Sequence, residues 1–336
     1  MENEKNTQGR KPFYKKLLSP HLLLLLLAIL IILFTLNRFN NWGIKIDLDE
    51  FFKDKEIEYD DDTFDQILPL TDKEGKIVKQ PENPTIVFMG NSPFADDRND
   101  PDNLVNMIAK ETGSTVYNLS VQGSYLAVLN PGLLLRPAEY PMDSFNFYWM
   151  AQMICDPEFP CDLTAAKEVM GDDFPEEGQE VYNLIKSIDF NDVDVLTIMY
   201  DAGDYFAGHL MYNDEEITDI RTFSGNLTAG IELIQNVYPH IRIIVMSPTY
   251  AYAIDHDGSY ISSDQFTYGG QDVLSTYVIK QCYYALSKGV TYVDHLYGTI
   301  TEDNAKEYLI DNYHLNLEGR KKVAQRFLYA LNYFND

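Results

Sequence analysis

The sequence predicts an α/β fold: a three-layer α/β/α domain with a mostly parallel sheet of about five strands, preceded by a transmembrane helix. Three observations predict it. Short apolar runs alternate with amphipathic helical patterns from residue 84 to the end. That stretch keeps one character throughout, with no internal repeat or low-complexity tract. Near the N-terminus lies a separate apolar run preceded by lysines.

The N-terminal run comes first. Leu22 to Leu36 is apolar except for Thr35, and Leu17 and Leu18 extend it across Ser19, Pro20 and His21. At roughly 1.5 Å per residue, the 17–36 segment just spans a bilayer core of about 30 Å. A cleaved signal peptide is the competing reading, but Asn-Arg-Phe-Asn-Asn-Trp follows instead of a small-residue cleavage site. Lys11, Lys15 and Lys16 precede the run, so the positive-inside rule places the N-terminus in the cytoplasm and the body outside. The expected organisation is a basic cytoplasmic tail (1–16), a membrane anchor (17–36), an acidic extracytoplasmic stalk (37–83) and a folded domain (84–336).

Within the domain, strand candidates are Thr85–Met89, Thr115–Leu119, Val195–Met199, Ile241–Met246 and Val290–Val293. Helical patterns fall near 101–112, 222–237, 272–288 and 316–333. Apolar strands separated by amphipathic helices imply a parallel sheet covered on both faces. Ligands then sit beyond the carboxyl ends of the strands, in the loops after residues 89, 119, 199, 246 and 293.

Charge narrows the function. The chain carries 52 acidic and 26 basic residues, a net of -26. Residues 1–40 hold six Lys or Arg against Glu2 and Glu4, a local +4, so the remainder carries -30. Such a body repels phosphate backbones, which argues against nucleic acid as a partner. Three cysteines make no disulfide framework. Cys155 and Cys161 flank a turn-rich loop able to bring them together, so one local disulfide is allowed outside the cell, with Cys282 a buried thiol. No CxxC or HExxH segment suggests a metal.

Two loops carry chemistry. Gly90-Asn91-Ser92 follows the first strand, where backbone N–H groups at a helix start favour developing negative charge. Asp311-Asn-Tyr-His314 stands before the last helix. A serine needs a base, and an imidazole held in one tautomer by a carboxylate is the usual solution. Either motif alone is weak; their placement at opposite ends of one α/β domain is far more specific.

The pattern resembles the SGNH hydrolase superfamily, which includes the GDSL esterases. Its first block is matched by Gly90-Asn91-Ser92, with Asn for Asp. Its second, a glycine donating a backbone N–H, is matched by Gly123 in Asn118-Leu-Ser-Val-Gln-Gly123. Its last, Asp-x-x-His, is matched by Asp311 and His314. The resemblance covers about 84–336 and implies an SGNH or flavodoxin-like architecture. The third block departs. Where the family has Gly-x-Asn-Asp, this chain has Asp201-Ala-Gly203-Asp204, so Gly203 stands where an Asn side chain donates to the oxyanion. Losing one such donor costs roughly 10²–10³ in turnover, or about 2.7–4 kcal/mol. On this reading, restoring Asn at 203 raises turnover.

The resemblance thus implies a serine esterase acting on acyl, foremost O-acetyl, esters of a carbohydrate or envelope polymer. Ser92 is the nucleophile, His314 the base and Asp311 its orienter; Ser92, Gly123 and Gly203 are oxyanion-hole candidates, and Asn91, Asp201 and Asp204 further pocket candidates. No cofactor is expected. Alternatives are an O-acyltransferase with the same serine, served by an integral-membrane acyl donor, and an impaired fold that only binds. Asp97, Asp100 and Asp102 read as solvated loop acids. His209, His240, His256 and His295 read as surface or structural. The aromatic 129–163 segment reads either as a lid or acyl-binding wall, or as core packing.

Overall fold

The computed structural model describes residues 63–334. The basic tail, the proposed anchor and most of the stalk lie outside them. Among the described residues, no helix is long and apolar enough to cross a membrane.

Five strands form one parallel sheet in the order β2-β1-β3-β4-β7: β1 (Ile86–Gly90), β2 (Val116–Asn118), β3 (Val195–Met199), β4 (Arg242–Met246) and β7 (Thr291–Val293). Every residue of β1, β3 and β4 is buried. That is why each reads as a continuous apolar run and not as an alternation. A separate antiparallel hairpin pairs β5 (Tyr252–Ile254) with β6 (Tyr260–Ser262). Its strands are too short and too exposed to give a periodic signal.

Ten helices join these strands: α1 (Ser92–Ala95), α2 (Leu104–Thr112), α3 (Phe147–Cys155), α4 (Leu163–Met170), α5 (Gly178–Ser187), α6 (Gly203–Phe206), α7 (Phe223–Val237), α8 (Leu274–Ser287), α9 (Ala305–Tyr308) and α10 (Leu317–Asn332). Side-chain caps fix several starts. Asn103 accepts from the N–H groups of Val105 and Asn106, Thr222 from Gly225, and Asn316 from Gly319. Helices α3, α7 and α8 pack together, and α2 packs on α10, so the sheet lies between two helical layers.

The aromatic 129–163 segment divides between these readings in favour of packing. Phe145, Phe147, Trp149 and Met150 are buried, and α3 lies against α7. Cys155 and Cys161 are separate thiols, each pushed up to about 11 by burial, and Cys282 is a buried thiol.

The strand register places the site. Gly90, Met199, Met246 and Val293 stand in one row across four strands. The next residues along the chain, Asn91, Tyr200, Ser247 and Asp294, therefore leave the sheet at one level. The chain passes from β1 to β2 on one side and to β3 on the other, so the crevice beyond β1 and β3 is the sheet's topological switch point.

Candidate active site

Gly90 ends β1 with φ +156°, and a Cβ there would stand 1.8 Å from the Met199 carbonyl oxygen. Only glycine fits so close to β3. The chain then turns at once into α1, with Ser92 as its first residue and Pro93 as its second. Proline suits that position because its missing N–H would have no helical partner. Asn91 does not cap the helix. Its amide instead donates to the Ser124 carbonyl (2.9 Å) and to Asp201 Oδ1 (2.8 Å), while its Oδ1 accepts from the Asp201 N–H (2.8 Å). The N–H groups of Ser92 and Gly123 donate to no protein acceptor among the described residues.

Asp201 is 8% exposed and lies under the serine. Burial raises its proton affinity above the usual carboxylate range. Asn91, the Gly203 N–H, the Ser92 side chain and His314 act against that rise. Asn91 and Asp201 thus form a reciprocal amide–carboxylate pair across the crevice between the ends of β1 and β3.

The base arrives from the C-terminal side. His314 Nδ1 lies 2.6 Å from Asp311 Oδ2, and Asp311 Oδ1 also accepts from the N–H groups of Tyr313 (3.0 Å) and His314 (2.8 Å). Burial would raise the Asp311 carboxyl, but those N–H groups and the imidazole outweigh it and hold the group below its ordinary value. With Nδ1 committed to the carboxylate, a neutral ring keeps its lone pair on Nε2. The turn is held firmly: Ile310 donates to the His314 carbonyl (2.8 Å), Tyr252 to the Asn312 carbonyl (2.8 Å), and the Tyr313 ring stacks on the imidazole at 3.8 Å between centroids.

Ser92 and His314 line one small pocket, open to solvent, with Pro93, Asp96, Asp201, Thr249, Tyr313, Leu315 and Arg320. Asp96 stands four residues after Ser92, one helical turn along, a spacing that would have flagged it. Burial pushes its carboxyl up to about 6, against the pull of His314 and Arg320 and with repulsion from Asp201 and Asp97. The nearly buried Arg320 is held by Asp97, the one described non-glycine residue with positive φ (+52°). Asp97, Asp100 and Asp102 are exposed and do not line the pocket.

The other candidates fall out as follows. Gly203 does not offer its N–H to a substrate, because Asp201 Oδ1 accepts it at 2.8 Å. As a backbone donor it is therefore spent, which corrects its place among the oxyanion-hole candidates. Gly123 lies in an exposed turn with φ +72° beside Ser124, which Asn91 holds, and does not line the pocket itself. Asp204 faces away from the serine. It accepts from the N–H groups of Leu126 (2.9 Å) and Ala127 (3.0 Å) and contacts His209 Nδ1 (2.9 Å), so it clamps the loop after β2. His209 thus has a partner that spacing along the chain did not reveal. His240 and His256 are exposed, and His295 is fully buried.

No protein-family model matches the chain, and no curated protein matches it. Solved structures do. One matches over 76% of this chain and 99% of its own length, at 16% identity and a TM-score of 0.52. A protein from Lactobacillus plantarum matches over 76% and 99%, at 15% identity and a TM-score of 0.50. At these identities the likeness establishes the α/β fold with its parallel sheet and nothing finer. A carbohydrate acetylesterase from Sinorhizobium meliloti matches more loosely, over 75% and 99%, at 10% identity and a TM-score of 0.42, too remote to bear on function.

Proposed function

We propose that the protein is a membrane-anchored serine esterase of the SGNH (GDSL-like) kind, acting outside the cell on acyl, foremost O-acetyl, esters of a carbohydrate or envelope polymer. The observation that carries this is the single pocket at the switch point of the sheet. It brings together a serine at a helix start and a histidine whose other nitrogen is 2.6 Å from a carboxylate, from positions 222 residues apart.

The chemistry follows from that arrangement. Ser92 Oγ attacks the ester carbonyl carbon as His314 Nε2 takes its proton. The carbonyl π electrons move to oxygen, and the oxyanion is met by the free N–H of Ser92 at the start of α1, with Gly123, in the turn outside the pocket lining, as a donor only if that turn closes on the substrate. Asp311 stabilises the imidazolium without taking its proton. Collapse breaks the C–O bond, and the leaving alcohol receives the proton from His314. Water, or a sugar hydroxyl in the O-acyltransferase reading, then attacks the acyl-serine by the same route and regenerates Ser92. No step calls for a metal or organic cofactor.

Residues 17–36 hold the domain at the bilayer, which suits a polymer substrate next to the membrane or an integral-membrane acyl donor. Protease added to intact cells should digest the domain and spare a short N-terminal fragment; a protected domain would refute this topology.

A binding module is the second reading, favoured by the spent Gly203 N–H and the absent Asn. Labelling with a fluorophosphonate decides between them. The wild type should be labelled at Ser92, and Ser92→Ala should lose both labelling and ester cleavage with thermal unfolding little changed. An unlabelled wild type supports the binding module, and a labelled Ala variant removes Ser92 from its role.

A further inference from the structure

The third block raises a specific problem: a side-chain donor is missing, and the backbone donor beside it is spent on Asp201. The space itself is filled. A Cβ built on Gly203 would meet Cε1 of Tyr125 at 3.2 Å and its Cδ1 at 3.4 Å, as well as Asp201 Oδ1 at 2.9 Å. The edge of a tyrosine ring therefore runs where an asparagine side chain at 203 would project. We propose that the Tyr125 hydroxyl is the third oxyanion donor of this site, standing in for the missing asparagine. The proposal rests on the esterase reading above.

Three features make Tyr125 suited to that task. Its position is fixed from both sides: Asp204 clamps the N–H groups of the next two residues, Leu126 and Ala127, and the His209 ring meets it edge-on at 4.8 Å. The same carboxylate holds His209, so one buried group positions both the loop and the ring's neighbour. The hydroxyl has no hydrogen-bond partner among the described residues, so its proton is available. Burial, with Asp204 and Asp201 nearby, raises the phenol above its ordinary value, which keeps it a donor at neutral pH.

The exchange has a physical logic. A carboxylate at 201 beside the serine opposes the build-up of negative charge, and a rigid phenol donor on the far side of Gly203 offsets that opposition. Glycine at 203 is then required, because any side chain there would displace the ring.

The test uses the full-length protein and p-nitrophenyl acetate. Tyr125→Phe keeps the ring and removes only the hydroxyl. Its kcat should fall by about 10²-fold with KM changed less than about threefold, because the bond strengthens as the oxyanion forms. Unfolding and end-point labelling of Ser92 by a fluorophosphonate should persist. Gly203→Asn should lower kcat, because its side chain would displace the ring. A Tyr125→Phe enzyme with unchanged kcat overturns the proposal while leaving the esterase reading intact. A gain from Gly203→Asn overturns it as well, by assigning the donor to that side chain. A wild type that neither labels nor cleaves overturns both readings together.

Discussion

Two groupings of serine, aspartate and histidine stand at the carboxyl end of the same sheet, and only one is arranged for chemistry. Ser92 and His314 open onto the pocket, with Asp311 behind the imidazole; Ser247, Asp294 and His295 sit at the ends of β4 and β7, all fully buried. In the second group every valence of the serine is spoken for. Ser247 Oγ donates to the Pro248 carbonyl (2.9 Å) and accepts from the His295 (2.7 Å) and Leu296 (3.3 Å) N–H groups. Asp294 accepts from Phe64 (3.0 Å), Leu296 (3.0 Å) and Tyr297 (3.2 Å), which ties the 64–68 segment against β7. His295 bonds Thr299 through Nδ1 (2.9 Å) and leaves Nε2 buried without a partner. Burial lowers its proton affinity to about 3, so it stays neutral and cannot act as a base near pH 7. The same residue types thus serve as a fastener in one place and, on the proposed function, as the reactive group in the other. Spare hydrogen-bonding capacity and access to solvent make the difference, not identity.

The largest expected effect separates the two histidines. His314→Ala should lower ester cleavage by about 10⁴-fold or more while leaving the unfolding temperature nearly unchanged, because the ring is partly exposed. His295→Ala should do the reverse. Emptying a sealed site costs about 2–4 kcal/mol of stability, while the folded fraction should retain its activity and its Ser92 labelling. Measuring turnover and thermal melting on both variants checks the contrast. If His295→Ala abolished turnover without loss of stability, the sealed group would belong to the reaction and the comparison would collapse.

How much of this was legible in the sequence follows from the same distinction. All five parallel strands were readable: β1, β3, β4 and β7 are fully buried and leave continuous apolar runs, while the half-buried β2 was read from the short 115–119 segment. The helices at 104–112, 223–237, 274–287 and 317–332 were readable from their periodicity and caps. The serine and the Asp-x-x-His turn were readable because each is local. What escaped was non-local. The Asn91–Asp201 pair joins residues 110 apart, and neither residue announced the other along the chain. Tyr125 fills the space over Gly203 from a different loop, so nothing in the third block announced it. Helix α3 escaped because its buried aromatic face read equally well as a lid, while the short α4 and α5 bury only a few aliphatic residues each and gave no distinct signal. Asp96 was overlooked beside Asp97, Asp100 and Asp102, although helical spacing from Ser92 set it apart.

The smallest expected effect carries the open-versus-sealed contrast to the two carboxylates beside His314: Asp96, which lines the pocket, and Asp311, which is more exposed and stands outside its lining. Asp311 is held below its ordinary proton affinity by the N–H groups and imidazole it accepts from, despite burial. Its stabilising contribution is therefore present above the unfolded-state value near 3.8 and is lost as pH falls through the lower folded value. Asp96 is shifted the other way, to about 6, because burial penalises its charge more than His314 and Arg320 repay. The stability linked to its neutral form is complete below about 3.8 and lost as pH rises through 6. Asparagine at either position removes the titration. Relative to wild type, Asp96→Asn should thus gain melting temperature between pH 4 and pH 7, as the wild type alone acquires a half-buried charge. Asp311→Asn should be least destabilising at pH 3 and become more so toward pH 5, with no further change by pH 7. Both shifts are expected to be a few degrees at most, since neither group is fully enclosed and solvent screens each of them. Melting curves at half-unit intervals from pH 3 to 7 would show two differences of opposite slope. Parallel slopes would mean that the site does not discriminate between these carboxylates, and that a place in the pocket lining has no bearing on their charge.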